Sequence, residues 1–582
     1  MKKLYYLLMI ASVAMVACKP DPINPPDPKP VDTDTIPIDT VPPYVPLTEW
    51  EKADSMYTEQ DYTIPSHTFL KIAITKCAGS ATEENLEALH EAINGLVPKE
   101  EPYNMVATIN GDPHTRMGFC WFTNDGVTGG KVQVIANGEA TEADFEAGGG
   151  VMSFDAAPTQ TKAIRYTGKA RYIVNLSGIP ASVRYKYISH KAVATGLTPG
   201  TEYSWRCGYE GHWSPIARFR TEDANQGEYS FIYMSDSHIE NAEYIKYARR
   251  CALAAVKTCP DARFCVFPGD FVEDGDANNS EWEWERWFEE SLNPVIMQMP
   301  IVPTDGNHDD SPNINYTYHF NTDNEFNINI TSKPQFEGIV YSFVYGDVLF
   351  LVFSMQDFWR EDYSYANKTS VYLTDHVSYW FRMQTAANPN TKYRVSLAHF
   401  NLFSGSDHST DEEPPLFRAC MLPTMKACEI DVALQGHDHT YEVIGPVDPD
   451  SVKPILSAIS DRETVTPDKN MNCTGYKGGT YRTDDGTFYF IGATCGRKRY
   501  YPHSRERMEQ DYQNGKHDVP NYFDLFTGMF GQPEKPSFTK ITVKDDCLEF
   551  NSYTADDDEG NSTLFNTMRI VRTKAHSVPS AN

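Results

Sequence analysis

From Glu228 onward the apolar residues fall into short, nearly uninterrupted runs, each closed by a polar loop and followed by helical periodicity. Phe231-Ile232-Tyr233-Met234, Phe264-Cys265-Val266-Phe267, Ile301-Val302, Tyr393 to Leu397 and Ile430 to Leu434 read as strands buried on both faces. That pattern belongs to a largely parallel sheet covered by helices. Between 101 and 222 the runs alternate and are separated by Gly, Pro, Asn and Asp: Asn104 to Asn110, Arg116 to Thr123, Gly130 to Ala136, Ala192 to Leu197, Tyr203 to Gly208 and Ile216 to Thr221. They predict an antiparallel sandwich. Earlier, Thr82 to Ile93 sets Leu86, Leu89 and Ile93 on one face behind a Thr-x-x-Asn start, which predicts a helix without visible chemistry. At the far end, Phe538 to Val543 and Leu548 to Phe550 read as a hairpin around Lys544 to Cys547, and Met568 to Val571 as a last strand.

The chemistry sits in the loops that close the buried runs. Ser235-Asp236-Ser237-His238, Pro268-Gly269-Asp270, Gly306-Asn307-His308-Asp309, Ala398-His399 and Gly436-His437-Asp438-His439 each follow an apolar strand. Ligand-bearing residues at the carboxyl ends of strands are where α/β sheets assemble sites. Singly, each motif is explained by a turn; the ordered series is not. Carboxylate, imidazole and amide oxygen, with no thiolate, suit Fe, Mn, Zn, Co or Mg.

The series Asp-x-His, Gly-Asp, Gly-Asn-His-Asp, His and Gly-His-x-His resembles the calcineurin-like metallophosphoesterase family over about residues 230–575. The resemblance implies a four-layer αββα sandwich, with Phe538 to Val543, Leu548 to Phe550 and Met568 to Val571 as closing strands of its second sheet, and two divalent or trivalent metal ions. Asp236, His238, Asp270 and His439 would hold one ion; Asp270, Asn307, His399 and His437 would hold the other, with Asp270 bridging. His308 would stand beside the leaving group without binding metal. The implied activity is hydrolysis of phosphate monoesters by a hydroxide shared between the ions; a phosphodiesterase or nucleotidase would use the same core, its pocket shaped around Trp359 to Tyr365 and His408 to Pro415. A surface binding protein without catalysis would need a degraded site, and no expected ligand is missing. Arg497, Lys498 and Arg499 offer local positive charge, either for phosphate or as a solvated basic loop.

The sandwich region carries its own resemblance. Leu197-Thr198-Pro199-Gly200-Thr201-Glu202-Tyr203 is similar to a fibronectin type III corner, and Trp213-Ser214 with Phe219-Arg220-Thr221 resembles the end of the N-terminal domain of purple acid phosphatases. Gly436 to Glu442 is similar to their Gly-His-x-His-x-Tyr-Glu stretch. Two positions depart from that group: Glu273 stands where they carry a tyrosine, and His238 is a histidine they lack. One ligand lost and one gained implies an intact site without the tyrosinate colour.

Charge and the chain start complete the picture. Lys and Arg total 51 against 80 acidic residues, a net charge of −29, which repels a nucleic-acid backbone and leaves an anionic substrate dependent on metal for local positive charge. Lys2 and Lys3, the apolar Leu4 to Ala14, and Met15-Val16-Ala17-Cys18 resemble a bacterial lipoprotein signal, with Met15 where the pattern prefers Leu. That implies a lipid on Cys18, a membrane as partner and a place in the cell envelope. The expected organisation is a signal at 1–18, a proline-rich tether at 19–46, a helical segment at 47–100, a fibronectin type III-like sandwich at 101–223 and the phosphoesterase domain at 228–575. With Cys18 lipidated, the remaining cysteines are odd in number and lack a CxxC pair, with Cys120 and Cys207 one candidate cross-strand disulfide.

Overall fold

The computed structural model describes residues 47–577 apart from 58–61, 98–100, 161–163, 167–182, 276–280, 310–313, 324–338, 359–361, 451–478, 502–526 and a few single positions. The expected signal, the tether and Trp359 lie outside the described residues. Three helices come first, Glu49–Met56, Ile64–Gly79 and Glu83–Asn94. They close around Ala53, Leu70, Ala73, Cys77 and Leu89. The third begins where its sequence says it should, because the Thr82 hydroxyl accepts the Asn85 N–H at 3.2 Å.

The alternating region forms the expected antiparallel strands. Arg116–Asn124 pairs with Tyr103–Thr108 on one side and Tyr187–Thr195 on the other, while Lys131–Ile135 and Ala217–Arg220 flank Glu202–Tyr209 in a second sheet. Phe119, Trp121, Val132, Val134, Trp205 and Phe219 fill the space between the sheets. The corner is fastened as expected, with the Thr198 N–H donating to the Tyr203 hydroxyl at 2.9 Å. Cys120 and Cys207, one candidate pair, do not form a disulfide. They lie in different sheets, each a buried free thiol, and the Cys120 thiol donates instead to the Tyr318 carbonyl at 3.1 Å.

On the side of Tyr103–Thr108 the sandwich does not end in an open edge. Thr108 of Tyr103–Thr108 is in parallel register with Ile301 of Ile301–Thr304, so its sheet continues into the next region as one eleven-stranded sheet. This pairing covers an edge that would otherwise present unpaired N–H and C=O groups. Within that sheet Tyr229–Tyr233, Ala262–Pro268 and Ile301–Thr304 run parallel. A second, seven-stranded sheet has Val348–Phe353, Tyr393–Leu397, Val432–Gln435 and Thr487–Gly492 as its parallel centre. Phe231, Tyr233, Val266, Phe350, Leu434 and Phe490 pack between the two sheets. The helix Ala242–Thr258 buries Ala248, Cys251, Ala252 and Ala255 on the outside of the first, and Ser378–Ala387 with Glu413–Ala427 packs on the outside of the second. The result is the αββα layering expected.

One placement is corrected. The strands Ser537–Val543, Leu548–Ala555 and Ser562–Val571 were expected to close the second sheet, yet they extend the first: Ser537–Val543 pairs antiparallel with Tyr229–Tyr233, and Leu548–Ala555 and Ser562–Val571 add outside it in turn. Ile541, Val543, Phe550, Met568 and Ile570 are buried in the core between the sheets, and burying them fixes the choice of edge.

Candidate metal centre

The parallel strands of both sheets end at one place, and the backbone there is unusual. Asp236, His238, Asp270 and His437 have φ of 58°, 47°, 53° and 70°. Each left-handed non-glycine residue costs about 1–3 kcal/mol, and such strain persists where the surroundings over-determine it. Glycine appears where no Cβ fits. A Cβ at Gly306 would lie 2.1 Å from Asp270 Oδ1, and one at Gly436 would lie 2.9 Å from Asp236 Oδ2.

These turns bring together all seven residues expected as ligands. The ligand atoms of Asp236, His238, Asp270 and His439 lie within 4.8 Å of one another, as do those of Asp270, His399 and His437, so Asp270 belongs to both groups. Asp270 Oδ2 is 3.1 Å from His238 Nε2 and 3.2 Å from His399 Nε2. Asn307 Oδ1 reaches His399 Nε2 at 3.0 Å. The His238 and His439 Nε2 atoms are 3.0 Å apart, and the buried Asp236 Oδ2 has no hydrogen-bond partner among the described residues. Imidazole nitrogens turned towards each other beside an unpartnered buried carboxylate oxygen are what a bound cation resolves, so the residues fit the two ions.

Electrostatics agree. Burial lowers the histidine pKa in each case, but Asp270 overcomes it at two of them, pushing His238 up to about 9 and His399 up to about 10. Burial prevails at His439, which falls to about 4, and at His437, which lies well below its usual value. In the metal-free fold, protons therefore occupy the two rings beside Asp270.

His308, expected beside the leaving group, lies on the open side with its side chain 30% exposed. Its Nδ1 is 2.7 Å from the Glu273 carbonyl, and its ring is 4.6 Å from that of His238.

Residues outside the expected ligand set also converge here. Asp309 accepts the N–H groups of Gly306, Phe271, Asp270 and Val272 at 2.6, 2.7, 2.8 and 3.3 Å, tying together the loops that carry Asp270 and Asn307. His408 stacks on His437 with centroids 3.9 Å apart, and Tyr500 on His439 at 4.3 Å. Of the basic run, Lys498 pairs with Glu273 at 2.5 Å and Arg497 with Glu243 at 2.8 Å, while the Arg499 guanidinium lies over the Tyr247 ring. Asp309 followed directly from the Gly-Asn-His motif and Lys498 lay in the basic run already singled out, though its pairing with Glu273 did not show there; Tyr500 had no spacing that could have announced it.

Comparison with known proteins matches residues 102–221 to the N-terminal domain of purple acid phosphatases and residues 229–441 to the calcineurin-like phosphoesterases. The human acid phosphatase type 7 is 24% identical over 281 residues, covering 46% of this chain and 59% of that protein. An uncharacterized Mycobacterium tuberculosis protein is 22% identical over 279 residues, covering 44% of this chain and 50% of that protein. The chain thus spans between half and three-fifths of the length of these relatives. Purple acid phosphatase from yellow lupin seeds superposes with a TM-score of 0.55 at 14% identity, covering 81% of this chain and 75% of that one, which makes the folds alike.

Proposed function

We propose, on the premise that residues 229–441 belong to the calcineurin-like phosphoesterase family, that this protein is a dinuclear-metal hydrolase of phosphate monoesters. The observation that carries the proposal is Asp270, whose single carboxylate is shared by the two buried ligand groups. Asp236, His238 and His439 complete one ion's set, and Asn307, His399 and His437 the other's. When bound, two such ions would supply an acidified water as the nucleophile for phosphorus and would neutralise the charge on the phosphoryl oxygens. The rest is done by the chain. Buried carboxylates and turned imidazoles fix the two positions with no rearrangement, and the strained turns of Asp236, His238, Asp270 and His437 hold them there. His308 donates Nδ1–H to the Glu273 carbonyl, so it is the imidazolium form whose Nε2–H passes a proton to the departing alkoxide as its bond to phosphorus breaks, leaving the neutral ring still held through Nδ1. The relatives named as acid phosphatases support monoesters over diesters. Metal analysis alongside turnover of nitrophenyl phosphate and bis-nitrophenyl phosphate tests the proposal: faster turnover of the diester would replace this reading with a phosphodiesterase. Cys18, we further propose, carries a lipid that holds the enzyme at a membrane of the cell envelope, a reading supported by Met15 to Cys18 and the proline-rich stretch after it.

A further inference from the structure

We propose that Glu273, clamped by Lys498, is a positioning residue that fixes the His238 ring for metal binding, an inference that rests on the hydrolase reading above. Glu273 Oε2 lies 2.8 Å from His238 Nδ1. An imidazole that donates Nδ1–H presents Nε2 as its lone-pair nitrogen, and His238 Nε2 is the atom facing Asp270 and His439. A carboxylate behind a ligating imidazole fixes its tautomer and raises its basicity.

Glu273 is itself immobilised from three sides. Its N–H reaches Glu283 Oε2 at 3.0 Å and the Ile239 carbonyl at 3.3 Å, and Lys498 Nζ meets its Oε2. Lys498 Nζ also comes within 3.3 Å of His238 Nδ1. Ammonium and Nδ1–H are both donors, so this approach is stable only with Glu273 Oε2 accepting from both. Lys498 is delivered by a loop that cannot drift. A Cβ at Gly496 would sit 2.5 Å from the Ser237 carbonyl and 2.7 Å from that of Asp236, so the loop lies directly on the Asp-x-His turn.

Glu273 meets His308 differently. Its carboxylate is 3.9 Å from His308 Nδ1, beyond hydrogen-bond reach, and the main-chain carbonyl holds that ring. Removing the side chain should therefore disturb His238 and leave His308 held.

The test strips the full-length protein of metal and titrates it with Mn²⁺ by calorimetry. Glu273→Ala is expected to weaken one of the two Mn²⁺ binding events by about 10- to 100-fold and spare the other. Glu273→Gln keeps an acceptor oxygen in place and restores most of the affinity. Any fall in turnover should be equal for good and poor leaving groups, since His308 is untouched. Should Glu273→Ala not fold, Glu273→Asp, which withdraws the oxygen by one methylene, carries the same prediction. Wild-type affinity at both sites in these variants overturns the inference, as does equal weakening of both together with a lower unfolding temperature of the metal-free protein. A wild-type protein that takes up no Mn²⁺ would instead refute the metal centre itself.

Discussion

Replacing Asp309 with alanine tests how the site is held together without touching a candidate ligand. The side chain is fully buried and accepts four main-chain N–H groups from two loops, three of them at 2.6–2.8 Å. A buried donor left without a partner costs about 1–3 kcal/mol. Water entering the space vacated by the carboxylate recovers part of that for three short bonds, and a net loss of about 3–5 kcal/mol is expected. Asp309→Asn is milder, at about 2–3 kcal/mol, because one oxygen still accepts from Phe271 while the amide NH₂ confronts the Asp270 and Gly306 donors. Since Asp309 joins the Asp270 turn to the Asn307 turn, metal affinity should fall about 10- to 100-fold as well. Thermal unfolding of the metal-free variants and Mn²⁺ titration measure both effects. An Asp309→Ala protein that unfolds at the wild-type temperature and binds both ions normally would show that the four hydrogen bonds do not organise the site.

Three other outcomes are expected. His308→Ala should retain both metals and lose about a hundred- to ten-thousand-fold in turnover of esters with poorly acidic leaving alcohols, and much less with nitrophenyl esters; comparing the two substrates checks the proton-donor role. Cys18→Ser should release the protein from membranes or block its processing, read by fractionation of cells. His238 and His399 have folded pKa values of about 9 and 10 against an ordinary 6.5, so they stabilise the metal-free fold fully below pH 6.5 and lose that contribution as pH rises through 9 to 10. At pH 7 these protons must leave when ions bind, so calorimetry in buffers of different ionisation enthalpy should register proton release, and metal affinity should fall with falling pH.

The chain made its chemistry easier to read than its architecture. Phe231 to Met234 and Ile430 to Leu434 are unambiguous buried strands, and the motifs after them identify ligands because metal coordination demands particular side chains at strand ends. The parallel contact of Thr108 with Ile301 joins residues almost two hundred positions apart, and no local pattern encodes which edge a short strand will seek. The same holds for Ser537–Val543, whose alternation predicts a strand but not its sheet. Lys498 and Glu273 meet only because Gly496 lets one loop settle on another. Cys120 and Cys207 look like a cross-strand pair in a linear reading, and their separation into two sheets is a tertiary fact.

The most direct measurement is elemental analysis of the purified protein and of Asp270→Asn, before and after chelation, with phosphatase activity followed in parallel. Close to two metal ions per chain are expected in the wild type, with activity lost on chelation and regained on metal return. Asp270→Asn should lose both metal and turnover, because an amide leaves two cations under-compensated. Full hydrolysis in rigorously metal-free protein, or two tightly held ions in Asp270→Asn, would contradict a centre built on one shared carboxylate.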